Sequence, residues 1–167
     1  MDIGVAALRE ATEEAVECFA RLLPQLSSSA PSLTRASLEK IIACPTNTVL
    51  AARGDGRLVG ALTLVMIPIP TGVRAWIEDV VVDTDMRGVG IGAALTSEAV
   101  RIAAEAGART VDLTSRPSRA SAIRLYERVG FVRRDTNVYR HCWIVISAVV
   151  QGVLLATRFF AHLLRYR

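Results

Sequence analysis

The chain has 167 residues, enough for one domain with a buried core. A formal charge of +4 favours an anionic small-molecule partner. Only 5% of residues are aromatic and no basic block is interleaved with them, which argues against nucleic-acid binding. Cys18, Cys44 and Cys142 are odd in number and widely spaced, so neither a metal site nor a disulfide framework is expected, and they read as small hydrophobes in a reducing cytoplasm. Acidic residues come early and no continuous apolar core follows them, so the N-terminus does not read as a signal peptide.

Ile3 to Leu8 reads as a first strand. Thr12 is placed to cap a helix that carries Glu13 and Glu14 in its first turn and Val16, Phe19, Leu23 and Leu26 at helical spacing. The loop Ser27–Ser32 precedes a short helix, Ser37 to Ala43. Thr48–Arg53 and Arg57–Val65 read as strands joined by Gly54-Asp55-Gly56, a strong hairpin turn, with Pro68 and Pro70 ending the second. Val73 to Val82 is the next strand. A helix follows that buries Ile91, Leu95, Ala99, Ile102 and Ala106 and closes at Gly107. Thr110 to Thr114 is a strand. Ser118 is placed to cap a helix with Ala122, Leu125 and Val129 inward, stopping at Gly130. Phe131–Arg133 and Val138–Cys142 read as final strands. The order βααβββαβαββ describes a mixed sheet with helices on both faces.

The segment Arg87-Gly88-Val89-Gly90-Ile91-Gly92 joins the Val80-Val81-Val82 strand to a helix start. The first N–H groups of a helix have no partner within it, and its dipole adds partial positive charge, so such a turn suits a phosphate group. It is not a Walker loop, since no Lys-Ser/Thr follows the last glycine, and the third glycine of the dinucleotide fingerprint is missing. A nucleotide-binding oxidoreductase or NTPase is therefore disfavoured.

Arg87-x-x-Gly90-x-Gly92 after a valine strand, with Ala122-Ile123-Arg124-Leu125-Tyr126-Glu127-Arg128-Val129-Gly130-Phe131 downstream, resembles the GNAT superfamily of acetyl-CoA-dependent N-acetyltransferases. The resemblance covers roughly residues 3–142. It implies an α+β acyl-CoA N-acyltransferase fold: a central, mostly antiparallel sheet of six to seven strands with helices on both faces. It implies acetyl-CoA as acyl donor, no metal, and a small-molecule amine or peptide amine as acceptor. Coenzyme A would lie in a V-shaped opening between the strand ending at Val82 and the strand Thr110–Thr114. Gly88, Val89, Gly90, Ile91 and Gly92 would cradle its pyrophosphate, with Arg87 adding charge or bracing the loop. Val80, Val81 and Val82 would run beside the pantetheine arm, Val80 and Val82 offering backbone groups.

Tyr126 is the family's usual general acid, placed to protonate the departing thiolate. Glu78 is the candidate base, directly or through water. Strand alternation puts Glu78 and Asp79 on opposite faces, and the position best established as the base in the histone-modifying branch is Trp76 here. Arg119 replaces an asparagine common seven residues before the tyrosine; it meets a phosphate or is a solvated helix-start arginine. The acceptor would be set by residues 26–33 and the region after Arg133, which name no substrate. A non-catalytic acyl-CoA sensor or scaffold is the alternative function.

Residues 143–167 form an apolar extension to the domain 1–142. Cys142 to Thr157 holds sixteen residues without a charge, short of the ~20 of a spanning helix. Ser147, Gln151, Arg158, His162 and Arg165 make one narrow polar stripe on a helix that is otherwise apolar. Burial against the domain or in a homodimer is favoured over membrane contact, with a non-native tail as the remaining alternative. The expected location is the cytoplasm, membrane-associated if the tail inserts.

Overall fold

The computed structural model of the protein describes residues 3–141. Its elements are β1 (Ile3–Ala7), α1 (Glu13–Leu26), α2 (Arg35–Ala43), β2 (Asn47–Gly54), β3 (Arg57–Ile69), β4 (Gly72–Val82), a 3-10 turn (Thr84–Met86), α3 (Ile91–Glu105), β5 (Val111–Leu113) and α4 (Ala120–Val129). The strands lie in the order β1-β2-β3-β4-β5. The first four are antiparallel neighbours, and β5 joins β4 in parallel. This is the mixed, mostly antiparallel sheet that the resemblance implies.

Local chemistry accounts for the boundaries. The Thr12 hydroxyl accepts from the Ala15 N–H and the Thr34 hydroxyl from the Ser37 N–H, so α1 and α2 each begin on a side-chain cap. Asp55 and Gly56 take φ of 48° and 82°, the paired positive angles of a tight hairpin turn. Pro68 does not end β3; it lies within it, opposite Val73 near the far end of the hairpin, where a missing N–H is tolerated.

Alternation along the strands divides the core in two. Val49, Ala51, Ala61 and Val81 face α1 and α2, meeting Ala15, Cys18, Phe19, Leu22 and Leu38. Leu50, Ala52, Leu62, Leu64, Ala75 and Ile77 face α3, meeting Ile91, Leu95, Ala99 and Ala103. Helices therefore cover both faces. On α1 the buried stripe is Ala15, Cys18, Phe19 and Leu22, with Val16, Leu23 and Leu26 flanking it.

The described residues hold five strands rather than six to seven. Residues 131–141 form neither helix nor strand. Val132, Val138 and Tyr139 are 85%, 70% and 90% exposed there. The chain divides into two units, Met1–Arg133 and Arg134–Arg167; of the second, residues 134–141 are described and are exposed. Cys142 and the expected helix at 143–167, with its packing, homodimer and membrane readings, lie outside the described residues. No helix among the described residues is long and apolar enough to cross a membrane.

Candidate active site

The site begins with a fault in one strand. β4 pairs with β5 only over Ala75–Ile77 opposite Val111–Leu113, extended by hydrogen bonds from Ala75 N to Thr110 O and from Arg109 N to Val73 O. Beyond Ile77 the two strands part. The register of β4 with β3 slips at the same place, from Thr63–Glu78 to Ala61–Val81, and Asp79 takes φ 53°. This is a β-bulge: one extra residue bends the strand and ends pairing on one side. Val80–Val82 then continue as an edge with no strand partner beyond β3 among the described residues.

The bulge also reassigns faces. Ala75 and Ile77 pack toward α3 before it, and Val80 and Val82 do so after it, while Val81 faces α1. Glu78, opposite Thr63, lies on the α1/α2 side, and simple alternation breaks at Asp79. Both are exposed. The Trp76 indole N–H donates to Glu78 Oε1 at 2.8 Å, which fixes where that carboxylate sits. Trp76 thus orients the acid two residues on, a role its type and spacing alone do not declare.

The free end of β4 leads into the glycine turn. Gly88 and Gly90 have φ of 83° and 97°, a region that strains other residues. Gly90 is the N-cap of α3 and no side chain caps that helix, so its first N–H groups face outward. A Cβ at Gly92 would meet Leu125 Cδ1 at 2.8 Å. The two sequence motifs are thus in direct contact: the last glycine lets α4 press its leucine against the start of α3.

Tyr126 follows that leucine. Gly130, at φ 103°, turns the chain back, Phe131 N donates to Tyr126 O at 3.0 Å, and the two rings stack edge-to-face with centroids 6.0 Å apart. The tyrosine is half-buried, and no hydrogen bond engages its hydroxyl among the described residues. Burial pushes the phenol pKa up, opposed by the charge of Arg119, so the hydroxyl keeps its proton through neutral pH.

A cavity of about 560 Å³ gathers these parts. Val80, Val81, Val82, Arg87, Gly88, Gly90, Ile91, Gly92, Arg119 and Tyr126 line it, with Gln25 and Leu26 from α1 and Ser118 and Arg128 near α4. Three arginines and no carboxylate line it, which suits a polyanion. Val89 is exposed at 46% and does not line the cavity; neither does Glu78. The Arg87 guanidinium donates from Nε to Val82 O at 3.1 Å, bracing the turn. Arg119 donates to Leu26 O at 3.0 Å and is itself the α4 N-cap position, without a side-chain cap; Ser118 does not cap it. A second cavity, about 640 Å³, lies between the β1–α1 connection, α2 and the start of β2. Arg9, Glu10, Arg35 and Glu39 line it together, so it offers mixed charge and none of the glycine turn.

Gln25, Arg21 and Asp83 were not singled out by sequence. Asp83 follows the valine strand and is 4% exposed. Arg21 Nε donates to its Oδ2 at 2.9 Å, and Arg57 lies 3.7 Å from the same oxygen. Burial alone would raise this carboxyl; the hydrogen bonds from Arg21 and Gln25 and the charges of Arg21 and Arg57 outweigh it and hold the pKa below the usual aspartate value. A signal existed only as Arg21 and Gln25 one helical turn apart on an otherwise ordinary polar face.

The model of the Acetyltransferase (GNAT) family matches residues 8–131, and the chain belongs to that family. Over 138 residues it is 34% identical to glucosamine 6-phosphate N-acetyltransferase of Trypanosoma brucei brucei, covering 78% of this chain and 91% of that one. Mycothiol acetyltransferase of Paenarthrobacter aurescens is 32% identical over 113 residues, 64% of this chain and 35% of that enzyme. The chain thus spans about a third or less of the length of two curated relatives it matches. Among solved structures, a putative acetyltransferase from Agrobacterium tumefaciens superposes with TM-score 0.74 at 26% identity, covering 83% of this chain and 99% of that one.

Proposed function

We propose that the protein transfers an acetyl group from acetyl-CoA to a primary amine by direct attack, without an acyl-enzyme. The observation that carries this reading is the single cavity at which the open edge of β4, the glycine turn and Tyr126 meet. Coenzyme A fits its donor set: outward N–H groups at the uncapped start of α3 and three arginines for the pyrophosphate, and an unpaired strand edge for the amide-bearing pantetheine arm. Acetyl-CoA supplies the activated thioester. Backbone N–H groups near Val80 polarise its carbonyl. Glu78, held by Trp76, takes the proton of the acceptor ammonium, directly or through water. The amine nitrogen then bonds to the carbonyl carbon, the carbon–sulfur bond breaks as Tyr126 gives its proton to the departing sulfur, and the surplus proton of the new amide nitrogen passes through water to the phenolate.

The name of the Trypanosoma brucei relative points to an amino sugar phosphate as acceptor, so amino sugars head the test. The full chain is incubated with acetyl-CoA and a panel of amino sugars, polyamines, aminoglycosides, aryl amines and peptides, and thiol release is followed. Amine-dependent release is expected with at least one class. Acetyl-CoA binding without release across the panel would favour the sensor or scaffold reading instead.

A further inference from the structure

The glycine turn holds itself poorly. Within it, Met86 N bonds Asp83 O at 2.9 Å, but the next bond, Arg87 N to Thr84 O, is 3.4 Å, and two positive-φ glycines follow. Its entry is instead fixed from α1. Gln25 Oε1 accepts from both Thr84 N, at 2.9 Å, and Thr84 Oγ1, at 2.7 Å. The same amide donates through Nε2 to Asp83 Oδ1 at 3.4 Å and to Arg21 O at 3.2 Å. Arg21 closes the network by donating to Asp83 Oδ2 and, at 2.7 Å, to Leu58 O of β3. One amide thus meets two donors and one buried acceptor at the point where β4 becomes the turn, and Gln25 also lines the cavity.

We infer that Gln25 is a positioning residue for the pyrophosphate-binding turn, so that coenzyme affinity depends on a side chain of α1 that lies 59 residues before its partner in the turn. The inference rests on the coenzyme A reading of that cavity. A glutamine is suited to the task because its oxygen and nitrogen face a donor pair and a carboxylate at once. An alanine leaves Thr84 N–H and Asp83 without that partner, and the turn gains alternatives to the conformation that aims its N–H groups at an anion. Arg21 in turn holds the Asp83 carboxylate that the amide meets.

The test is a titration of coenzyme A into the full chain, followed by calorimetry and by ³¹P NMR of the diphosphate, for the unmodified protein, Gln25→Ala and Thr84→Val. Coenzyme binding is expected to move the diphosphate resonances of the unmodified complex. Gln25→Ala should raise the dissociation constant about tenfold and, at saturation, bring those resonances part-way back to their free positions. Thr84→Val lies at an exposed position, keeps its backbone N–H and should shift both readouts the same way by less; it decides the matter if Gln25→Ala does not fold. Affinities within about twofold and unchanged resonances in the variants would overturn the inference. Diphosphate resonances that stay put in the unmodified protein would instead overturn the coenzyme reading beneath it.

Discussion

The two halves of β4 have different neighbours and different uses. Over Gly72–Ile77 the strand is closed on both sides: β3 on one, and on the other β5, where Arg74 donates to Thr110 Oγ1 and pairs with Asp112 at 2.8 Å. Over Glu78–Val82 β3 is the only strand neighbour among the described residues. Both halves are rich in apolar and β-branched residues, so composition does not separate them. One residue does. The bulge at Asp79 ends the pairing with β5 and leaves a polar strand edge above a helix N-terminus. The cleft proposed to hold the coenzyme is here the consequence of a single register slip, and its walls are then fixed by side chains from α1 and α4.

The largest effect is expected from deleting Asp79. Glu78 would then adjoin Val80, every remaining residue of β4 would keep its face, and the bulge would be gone. The variant should retain its circular dichroism spectrum yet lose acetyl-CoA-dependent turnover by about a hundredfold or more. Full activity would show that the slip is incidental. Tyr126→Phe acts on the chemistry facing the open half. It should lower kcat by about a hundredfold while the coenzyme dissociation constant stays within about twofold, because the ring contact with Phe131 survives; equal turnover at all accessible pH values would remove the acid from the mechanism.

A smaller effect concerns the anchor of the turn. The Asp83 carboxyl is held below its unfolded value, so the folded state binds that proton less readily than the unfolded state does. Its contribution to stability is complete above the unfolded pKa of about 4 and is lost as pH falls from there through the lower folded value. Asp83→Asn should therefore cost about 1–2 kcal/mol at neutral pH and flatten the acid limb of the denaturation profile, read by chemical denaturation at several pH values. The smallest effect belongs to the closed half. Arg74→Ala removes an ion pair whose arginine is 43% exposed and should change stability by less than about 1 kcal/mol and leave coenzyme binding alone.

The contrast also explains what could be read from residues. The glycine turn and the Leu125-Tyr126 segment are legible because each needs a particular residue type at a fixed place: glycines for positive φ and for the approach of Leu125, and a glycine again to fold Phe131 onto Tyr126. The bulge is not legible. Glu78-Asp79 looks like any polar pair on an alternating strand, and an aspartate at positive φ has no sequence mark. Gln25 and Arg21 are hidden for another reason. Their partners lie 58 to 62 residues away, and a polar helix face reads as solvated until the loop beneath it is placed. The strands expected at Phe131–Arg133 and Val138–Cys142 are not formed among their described residues.

Two cavities of similar size open on the described residues, and their linings share no residue. The most direct test of the account is therefore a backbone amide NMR titration of the full chain with coenzyme A. The account predicts that the largest shifts fall on Val80–Val82, Gly88–Gly92 and Tyr126. Shifts centred on Arg9–Thr12 and Asn47–Val49 would contradict it.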